Sequence, residues 1–276
     1  MQKIEFTTNK KQQLTKAIID ELPFLSRYDI AKILSNKDVK VNNVRVKEDC
    51  ILNVGDRIIV FYQQKEQADW YKLVYEDENI VIVNKQAGIE VISETDRDLL
   101  SVLRAKFSTI NPVHRIDRNT EGLVIFALNK QAEKELLAAF KTRSAIIKKY
   151  ALKVHGRVDI SKIKRTVYLK KGDALSKVWI SELKTSGYEP IATEFDIIEY
   201  SGENTLLEAN LLTGKTHQIR AHIAYYGHPI LGDNKYGKDN FKQMHLTANF
   251  LAFKFAKNSS LAYLNGKNFE IIPTWL

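Results

Sequence analysis

A loop dense in ionisable side chains runs directly into an apolar segment at residues 111–128. It places His114, Arg115, Asp117 and Arg118 within a few positions of one another, followed by Asn-Thr-Glu and then by Gly-Leu-Val-Ile-Phe-Ala-Leu. Loops that are held by a rigid buried element commonly carry catalytic groups. The carboxylate of Asp117 has the chemistry to attack or stabilise an electron-poor carbon. The same residue types are also typical of a carboxylate that only caps a turn and pairs with a neighbouring arginine, so this segment alone leaves both interpretations open.

A protein kinase also uses a loop with His, Arg and Asp, and this alternative is excluded by spacing. In the kinase loop the aspartate directly follows the arginine, whereas Ile116 separates them here. The chain also contains no Gly-rich phosphate loop of the kinase type and no Asp-Phe-Gly triplet. The loop therefore has to serve another reaction.

A second segment with chemical potential covers residues 205–233. Its Gly-Lys-Thr tripeptide at 214–216 resembles a nucleotide-binding P-loop, but that pattern needs a glycine where Ala209 stands. Nucleotide hydrolysis is therefore not indicated. A predicted helix begins at this point, and its free N–H groups, with Lys215 beside them and Arg220 a turn later, suit a phosphate or a carboxylate.

The histidines and the cysteine of the chain do not indicate a metal site. His217 and His222 are five positions apart, not the four that place two ligands on one face of a helix. We interpret both as hydrogen-bonded structural histidines. Cys50 is the single cysteine, which excludes an intramolecular disulfide, a cysteine-based zinc site and an iron–sulfur cluster. No metal and no cofactor are expected.

A third segment, residues 147–156, alternates in the manner of a β-strand and places Tyr150 and Leu152 on one face. A tyrosine in a strand is ordinarily a core residue, so Tyr150 gains interest only from the segments that accompany it.

The elements that must position these residues form two predicted parts. A polar stretch at 63–69 has the composition of a connector. We therefore predict a small α/β module over residues 1–66 and a larger domain over 67–276. The module has two predicted helices, over 11–22 and 27–34 with Ser26 as the cap of the second, and strands over 39–41, 44–46 and 57–62.

The larger domain is predicted to be α+β with a mixed, largely antiparallel sheet. Several strands follow one another without an intervening helix between 147 and 212, which argues against a doubly wound parallel sheet. The predicted strands lie near 72–76, 80–84, 122–128, 147–155, 164–170, 176–183, 191–199 and 205–212, and the predicted helices near 98–107, 130–142 and 215–226.

Charge and hydropathy point to a partner class. The formal net charge is +9 and the pI is near 9.3, which favours a polyanion such as nucleic acid, although a solvated Lys-rich surface gives the same numbers. No apolar run reaches the roughly 18 to 20 residues of a membrane-spanning helix. No secretory signal is visible at the start of the sequence, so a cytoplasmic protein without membrane contact is expected.

Four motifs occur together and in one order: HRIDRNTxGL from His114, KYxxxVxG from Lys149, TGKTHQIRxH from Thr213, and GHPIxGD from Gly227 followed by Tyr-Gly at 236–237. This set resembles the RluA-type family of RNA pseudouridine synthases. The N-terminal region is similar to the small αL RNA-binding module of ribosomal proteins. That similarity rests on Ser-Arg at 26–27 opening a helix, on Val-Asn-x-x-Arg-Val at 41–46, and on Val-Gly-Asp at 54–56.

The resemblance implies roles for particular residues. Asp117 is the catalytic carboxylate, Arg220 its ionic partner, Tyr150 the aromatic residue that contacts uracil, and Arg115 the residue that displaces the base. RNA contacts are expected from these and from further basic residues of both parts, His114, Lys215, Arg27, Lys32 and Arg45. The sequence departs from the family at Glu121, where serine is common, so the hydrogen bonding behind the catalytic loop is expected to differ.

The implied reaction isomerises uridine in structured RNA to pseudouridine after base flipping and needs no cofactor. Large-subunit ribosomal RNA is the commonest implication of this architecture, and transfer RNA stays open. The chain is expected to be a monomer. The alternative is a non-enzymatic RNA-binding factor for ribosome assembly, which would have no need of Asp117, Tyr150 and Arg220 together.

Overall fold

The computed structural model describes residues 2–22, 25, 27–62, 70–93, 98–142, 145–172, 177–239 and 241–276, and for residues 27 and 28 it describes the backbone alone. The chain divides into two compact units. The first contains Met1–Trp70 with Glu90–Thr109, and the second contains Tyr71–Ile89 with Ile110–Leu276. The predicted boundary between residues 66 and 67 lies outside the described residues.

The first unit combines short helices with a small antiparallel sheet. Its sheet has the strand order β1-β6-β3-β4, and β2 pairs with β5. The strands are β1 (Gln2–Thr7), β2 (Gln12–Gln13), β3 (Val39–Val41), β4 (Val44–Val46), β5 (Ile51–Leu52) and β6 (Arg57–Tyr62), and the helices are α1 (Leu14–Glu21), α2 (Arg27–Ser35) and α3 (Leu99–Arg104).

The core of this unit follows from local periodicity. In α1 the buried residues are Leu14, Ala17 and Ile18, which lie on one face at helical spacing. They pack with apolar residues of β6 such as Ile58. The β3–β4 hairpin turns at Asn42, where φ is 50°, and the next residue, because asparagine adopts positive φ more readily than most side chains.

The second unit is built on one large sheet of order β13-β12-β14-β15-β11-β16-β10-β8-β7, with β17 beside β16 and β9 beside β10. Among the described strand pairs, β10 and β16 alone are parallel, so the predicted α+β class with a largely antiparallel sheet is confirmed. The strands are β7 (Tyr71–Glu76), β8 (Ile80–Lys85), β9 (Asn111–Pro112), β10 (Glu121–Ala127), β11 (Ile146–His155), β12 (Thr166–Lys171), β13 (Val178–Ser181), β14 (Glu189–Ser201), β15 (Asn204–Leu211), β16 (Leu246–Phe253) and β17 (Asn268–Glu270).

Within the described part of the second unit, two α-helices pack against this sheet. Helix α4 (Lys130–Thr142) buries Ala132, Leu136 and Ala139 in the same core as Ile82 and Ile125. Helix α5 (Gln218–Tyr225) contributes to a second core, in which its buried Ala221 joins apolar residues of β12 to β14. The sequence predicts α5 over 215–226, and the regular helix starts later because residue 217 has a positive φ of 56°.

The central strand β16 is not predicted from the sequence, and it has a specific packing requirement. It pairs in parallel with β10, where Gly122 lies opposite Ala248. A Cβ atom added at Gly122 would stand 2.4 Å from the carbonyl oxygen of Ala248. The strands can therefore approach this closely only with glycine at that position, directly behind the loop that carries Asp117.

Among the described residues, no helix has both the length and the apolar composition needed to cross a membrane.

Candidate active site

A cleft of about 360 Å³ opens in the second unit between the 113–120 loop, α4, β11 and the start of α5. A pocket of this order suits a small-molecule group. The predicted residues that line it are His114, Arg115, Asp117, Tyr150, Lys215 and Arg220. The structure therefore brings together three segments that are far apart in the chain.

The other predicted RNA-binding residues belong to the first unit. Lys32 is exposed on α2, and Arg45 is exposed on β4, where it donates a hydrogen bond of 2.8 Å to the carbonyl oxygen of Lys37. Arg27 is the first residue of α2, and its side chain lies outside the described part.

An Asp–Arg–Asp network forms the centre of the cleft wall. Arg220 donates from Nη1 to Oδ2 of Asp117 over 2.9 Å. The same guanidinium donates from Nε and Nη2 to the two oxygens of Asp233, over 2.7 and 2.8 Å. Asp233 is fully buried, whereas the side chain of Asp117 retains 21% of its exposure. Asp233 thus fixes the guanidinium of Arg220 from the buried side, and Nη1 donates to Asp117 at the cleft.

The opposite charges of Arg220 and Asp233 stabilise each other's ionised form. Burial lowers the pKa of Arg220, but the hydrogen bonds and the negative charge of Asp233, with a further contribution from Asp117, raise it above its usual value overall. Burial raises the pKa of Asp233, but the hydrogen bonds and charge of Arg220 outweigh that effect and lower it. Both buried groups therefore stay ionised, and the bidentate geometry is the one that favours arginine over lysine.

His217 lies against the same aspartate. Its Nε2 is 3.8 Å from Oδ2 of Asp117, and its Nδ1 is 3.0 Å from the hydroxyl oxygen of Tyr236. That hydroxyl also accepts the backbone N–H of Val178 over 2.9 Å. The Tyr236 ring lies under the guanidinium of Arg220, 5.4 Å from ring centroid to Cζ. Burial, then the charge of Arg220, lowers the pKa of His217, and Asp117 offsets this in part.

The loop before α5 is organised by Gln218, which is buried. Its Oε1 accepts from the hydroxyl of Thr213 over 2.9 Å and from the backbone N–H of Lys215 over 3.1 Å. Its Nε2 donates to the carbonyl oxygen of Ala192 and to the hydroxyl of Thr193. This side chain fixes the entry to the helix that carries Arg220. The ammonium of Lys215 forms an ion pair with Glu189.

Lys85 anchors the 113–120 loop, which carries Asp117. Its side chain is fully buried, and Nζ donates to the carbonyl oxygens of Gln86, Ile89 and Arg118 over 2.8, 2.7 and 3.1 Å. The lysine therefore joins the end of β8 to the residue that follows Asp117. Burial lowers the pKa of Lys85 to about 7, against the opposing charges of Asp117 and Glu121.

His114 is held by the scaffold. Its Nε2 accepts the backbone N–H of Ile125 over 3.0 Å, and its ring stacks on Phe140 with centroids 4.5 Å apart. Burial, and then the charge of Lys148, lower the pKa of His114 well below 6.5. The imidazole is consequently neutral and attaches the loop to β10.

Tyr150 projects into the cleft from β11, where the register of β11 against β16 shifts between Lys149 and Ala151. Its side chain is buried, and burial together with the charge of Asp117 raises the pKa of its hydroxyl. The hydroxyl is therefore protonated near neutral pH. It can donate a hydrogen bond, but it is a poor base.

Behind the loop, Glu121 is buried and accepts hydrogen bonds from the Nε2 of Gln243 over 2.9 Å and from the backbone N–H of Thr274 over 3.1 Å. The longer side chain at this position thus ties the C-terminal segment to the start of β10.

No role was predicted for Asp233, Lys85 or Gln218. Asp233 stands in one of the quoted motifs, so its place after Gly232 was a usable signal. Lys85 ends an apolar strand, and a charged residue at that place is a weaker signal. As expected, His222 is structural: it is buried and its Nε2 lies 2.9 Å from the carbonyl oxygen of Lys164. Within the described part of the chain, no group of three or more His, Cys, Asp or Glu residues is placed to hold a metal ion.

Comparison with known proteins defines the class. The RNA pseudouridylate synthase family matches residues 79–225, which include the loop that carries Asp117, β11 and α5. An RNA pseudouridine synthase of Mycoplasma capricolum is 31% identical over 274 residues, 90% of this chain and 89% of that protein. The ribosomal large subunit pseudouridine synthase C of Vibrio cholerae is 31% identical over 251 residues, 83% of this chain and 78% of that protein.

The fold agrees with these relatives. A solved structure, human RNA pseudouridylate synthase domain containing 1, superposes with a TM-score of 0.59 at 24% identity and covers 76% of this chain and 93% of its own. The chain belongs to the RNA pseudouridine synthase family. It is accordingly an isomerase that modifies RNA.

Proposed function

We propose that this protein converts a uridine of structured RNA into pseudouridine with Asp117 as the catalytic carboxylate. The observation that supports this most is the 2.9 Å hydrogen bond from Arg220 to Oδ2 of Asp117 at the cleft wall. Among the described residues, no donor contacts the other oxygen, Oδ1. The carboxylate is therefore oriented by a permanent positive charge and keeps one oxygen available for a substrate.

The reaction requires a carboxylate of this kind. The bond between ribose and uracil N1 breaks, the base turns, and a new bond forms from the same sugar carbon to C5, with no net oxidation or reduction. No cofactor is required. The sugar carbon becomes electron-poor as the first bond breaks, and a carboxylate can attack it or stabilise it. Proton removal from the sugar by Asp117 is a third route that the same geometry permits.

The substrate uridine must leave its stack to reach this site. Extrusion of a base costs a few kcal/mol, and the cleft of about 360 Å³ has the size for one flipped nucleoside. Tyr150 offers the base an aromatic face, and stacking of this kind is worth about 1–3 kcal/mol. Arg115 is exposed on the cleft wall, where it would occupy the space that the base vacates.

We further propose large-subunit ribosomal RNA as the substrate. Support comes from the relative in Vibrio cholerae, whose name specifies the ribosomal large subunit, and from the net charge of +9. Arg27, Lys32 and Arg45 of the first unit, together with His114 and Lys215 beside the cleft, would contact the RNA.

The test is pseudouridine mapping by mass spectrometry with chemical tagging. Unmodified ribosomal RNA and transfer RNA are incubated with the purified wild-type protein and with Asp117→Asn. We expect new pseudouridine in large-subunit ribosomal RNA from the wild type alone. An active Asp117→Asn variant would contradict the catalytic assignment, and product in transfer RNA only would contradict the substrate. Tight RNA binding without any product would favour the non-enzymatic RNA-binding factor.

A further inference from the structure

His217 has a backbone conformation that is uncommon for residues other than glycine. In the described part of the second unit it is the one non-glycine residue with positive φ, at 56°. A residue with a Cβ atom is uncommon in this region, and such residues cluster at functional sites. Its position at the start of α5 directs the ring into the cleft beside Asp117.

The hydrogen bonds around the ring assign its tautomer. The hydroxyl oxygen of Tyr236 accepts the N–H of Val178, and its own hydrogen has one acceptor among the described residues, Nδ1 of His217 at 3.0 Å. If Tyr236 donates to Nδ1, the neutral imidazole must carry its hydrogen on Nε2. The neutral form is favoured, because burial and the charge of Arg220 lower the pKa of His217.

Among the described residues, the resulting Nε2–H has no acceptor within hydrogen-bond distance. Nε2 lies 3.8 Å from Oδ2 of Asp117, which is beyond hydrogen-bond distance. That oxygen is already bound by Arg220. The side chain of His217 nevertheless retains 11% of its exposure, toward the cleft. Tyr236 therefore fixes the imidazole ring through Nδ1, and the Nε2–H is left open on the side where a substrate would lie.

We propose that Nε2–H of His217 donates a hydrogen bond to a carbonyl oxygen of the target uracil and stabilises the base as it departs. This inference rests on the proposed entry of the base into this cleft. When the bond between the sugar carbon and N1 breaks, its electron pair stays on uracil, and the negative charge spreads to O2 and O4. His217 keeps its proton throughout, so the step balances without a further reactant. Donors placed where charge develops are usually a large component of catalysis.

The neutral state of His217 matters for this role. A protonated His217 would compete with Arg220 for Asp117 and would place a second positive charge on the carboxylate. A neutral N–H leaves the Asp117–Arg220 pair intact, and it still strengthens its hydrogen bond as uracil becomes an anion.

The first test is independent of RNA. Nitrogen-15 NMR of histidine-labelled full-length protein reports which ring nitrogen of His217 carries hydrogen, and Tyr236→Phe serves as the matched perturbation. We expect hydrogen on Nε2 in the wild type and a mixture of tautomers in Tyr236→Phe. Hydrogen on Nδ1 in the wild type would overturn the proposal.

The second test is kinetic and uses His217→Asn, because asparagine tolerates positive φ but its amide is too short to reach the same point. The substrates are ribosomal RNA transcripts that cover the modified uridine and carry uridine, 2-thiouridine or 4-thiouridine, since sulfur is a weaker acceptor than oxygen. Single-turnover rates are followed by release of tritium from C5, and RNA affinity is measured in parallel.

We expect His217→Asn to react on the order of 10²-fold more slowly with uridine, with RNA affinity within about threefold of the wild type. One thio substrate should slow the wild type but should not slow His217→Asn further, and it identifies the oxygen that is contacted. Equal slowing of both proteins by both thio substrates would overturn the proposal and leave His217 a purely structural role. Asp117→Asn is measured alongside: a wild-type rate in that variant contradicts the proposed catalytic role of Asp117, whereas the thio comparison alone decides the role of His217.

Discussion

Asp233 holds Arg220 through two parallel hydrogen bonds of 2.7 and 2.8 Å, and this pairing decides where the third N–H of the guanidinium points. Asp233 is in turn fixed, because Oδ1 accepts the backbone N–H groups of Lys235 and Tyr236. Gly232 directly precedes it with a φ of 78°, and a Cβ atom there would collide with the carbonyl oxygen of Gln243. The turn at Gly232 therefore fixes Asp233, and Asp233 in turn orients Arg220 toward Asp117.

Asp233→Asn tests this arrangement. The amide keeps the size of the side chain but loses its charge and turns one acceptor into a donor, so Arg220 is left partly unpaired in a buried place. Breaking a buried pair costs about 3–5 kcal/mol of unfolding free energy. Misplacement of Arg220 should also slow single-turnover pseudouridine formation on the order of 10²-fold. Denaturant unfolding and rate assays check both effects. Asp196→Asn, on the exposed face of β14, is the control and should match the wild type.

Lys85→Met tests whether Lys85 holds the 113–120 loop, which carries Asp117, in place. Methionine fills similar space but leaves the carbonyl oxygens of Gln86, Ile89 and Arg118 without the ammonium that they share. We expect a loss of unfolding free energy on the order of 3 kcal/mol and a slower reaction, because the loop that carries Asp117 is less restrained. Lys72→Met, on an exposed position of β7, controls for the loss of a lysine. Wild-type stability and rate in Lys85→Met would show that the loop is held by its other contacts.

The elements of the second unit could largely be predicted from sequence, because periodicity is a local property. The segments that form β8 and β10 are short apolar runs, and the structure has strands there. Strand β16 was not predicted: Leu246, Leu251 and Phe253 are buried on both sides of a central strand, which gives no alternation to detect. Its parallel pairing with β10 depends on Gly122, and nothing local marks that glycine as a close contact.

In the candidate site, too, local features could be predicted from the sequence, whereas contacts between residues that are distant in the chain could not. Asp117 and Arg220 are 103 residues apart, and their proximity was expected only from the resemblance of the motifs to a family. Even that resemblance assigned no role to Asp233 or Lys85, because the partners of a buried charge are set by tertiary packing. The positive φ of His217 could not be expected either, since only a few per cent of residues other than glycine have positive φ, although histidine is enriched among them.

Acid stability is predicted to depend on His222. Burial lowers the pKa of this imidazole to about 4, with its hydrogen bond to the carbonyl of Lys164 opposing that effect. Between pH 6.5 and 4 the unfolded chain binds a proton at this histidine and the folded chain does not. The unfolding free energy should therefore fall as the pH is lowered through this window, by at most about 3 kcal/mol from His222.

Chemical unfolding at a series of pH values measures this slope. In His222→Gln, whose amide can still donate to Lys164, the slope should be smaller although stability near pH 7 is reduced by the changed packing. A remaining slope is expected from His114, because burial lowers its pKa as well. An unchanged slope in His222→Gln would contradict the prediction.

The contribution of the first unit to RNA binding is tested by Lys32→Gln and Arg45→Gln in the full-length protein. Both positions are exposed, so the substitutions should leave the fold intact. Each lost phosphate contact should reduce the slope of log affinity against log salt by roughly 1. The control is Lys10→Gln, because Lys10 is an exposed lysine of the same unit that is not among the predicted RNA contacts. Salt slopes equal to that of the wild type would remove these residues from the RNA interface.

Tyr150→Phe separates two uses of the tyrosine. The ring lines the cleft and would stack on the flipped base, whereas the hydroxyl would act only if it moves a proton or donates a hydrogen bond. Burial and the charge of Asp117 raise the pKa of that hydroxyl, so it is a weak acid and is not ionised at neutral pH. We therefore expect Phe to retain RNA affinity and to react within about tenfold of the wild type, since general acid–base catalysis would be worth about 10²–10⁴-fold. Tyr150→Leu removes the aromatic face and should lose more. Single-turnover rates decide the matter: a loss beyond about 10²-fold in Tyr150→Phe would assign the hydroxyl an essential proton transfer.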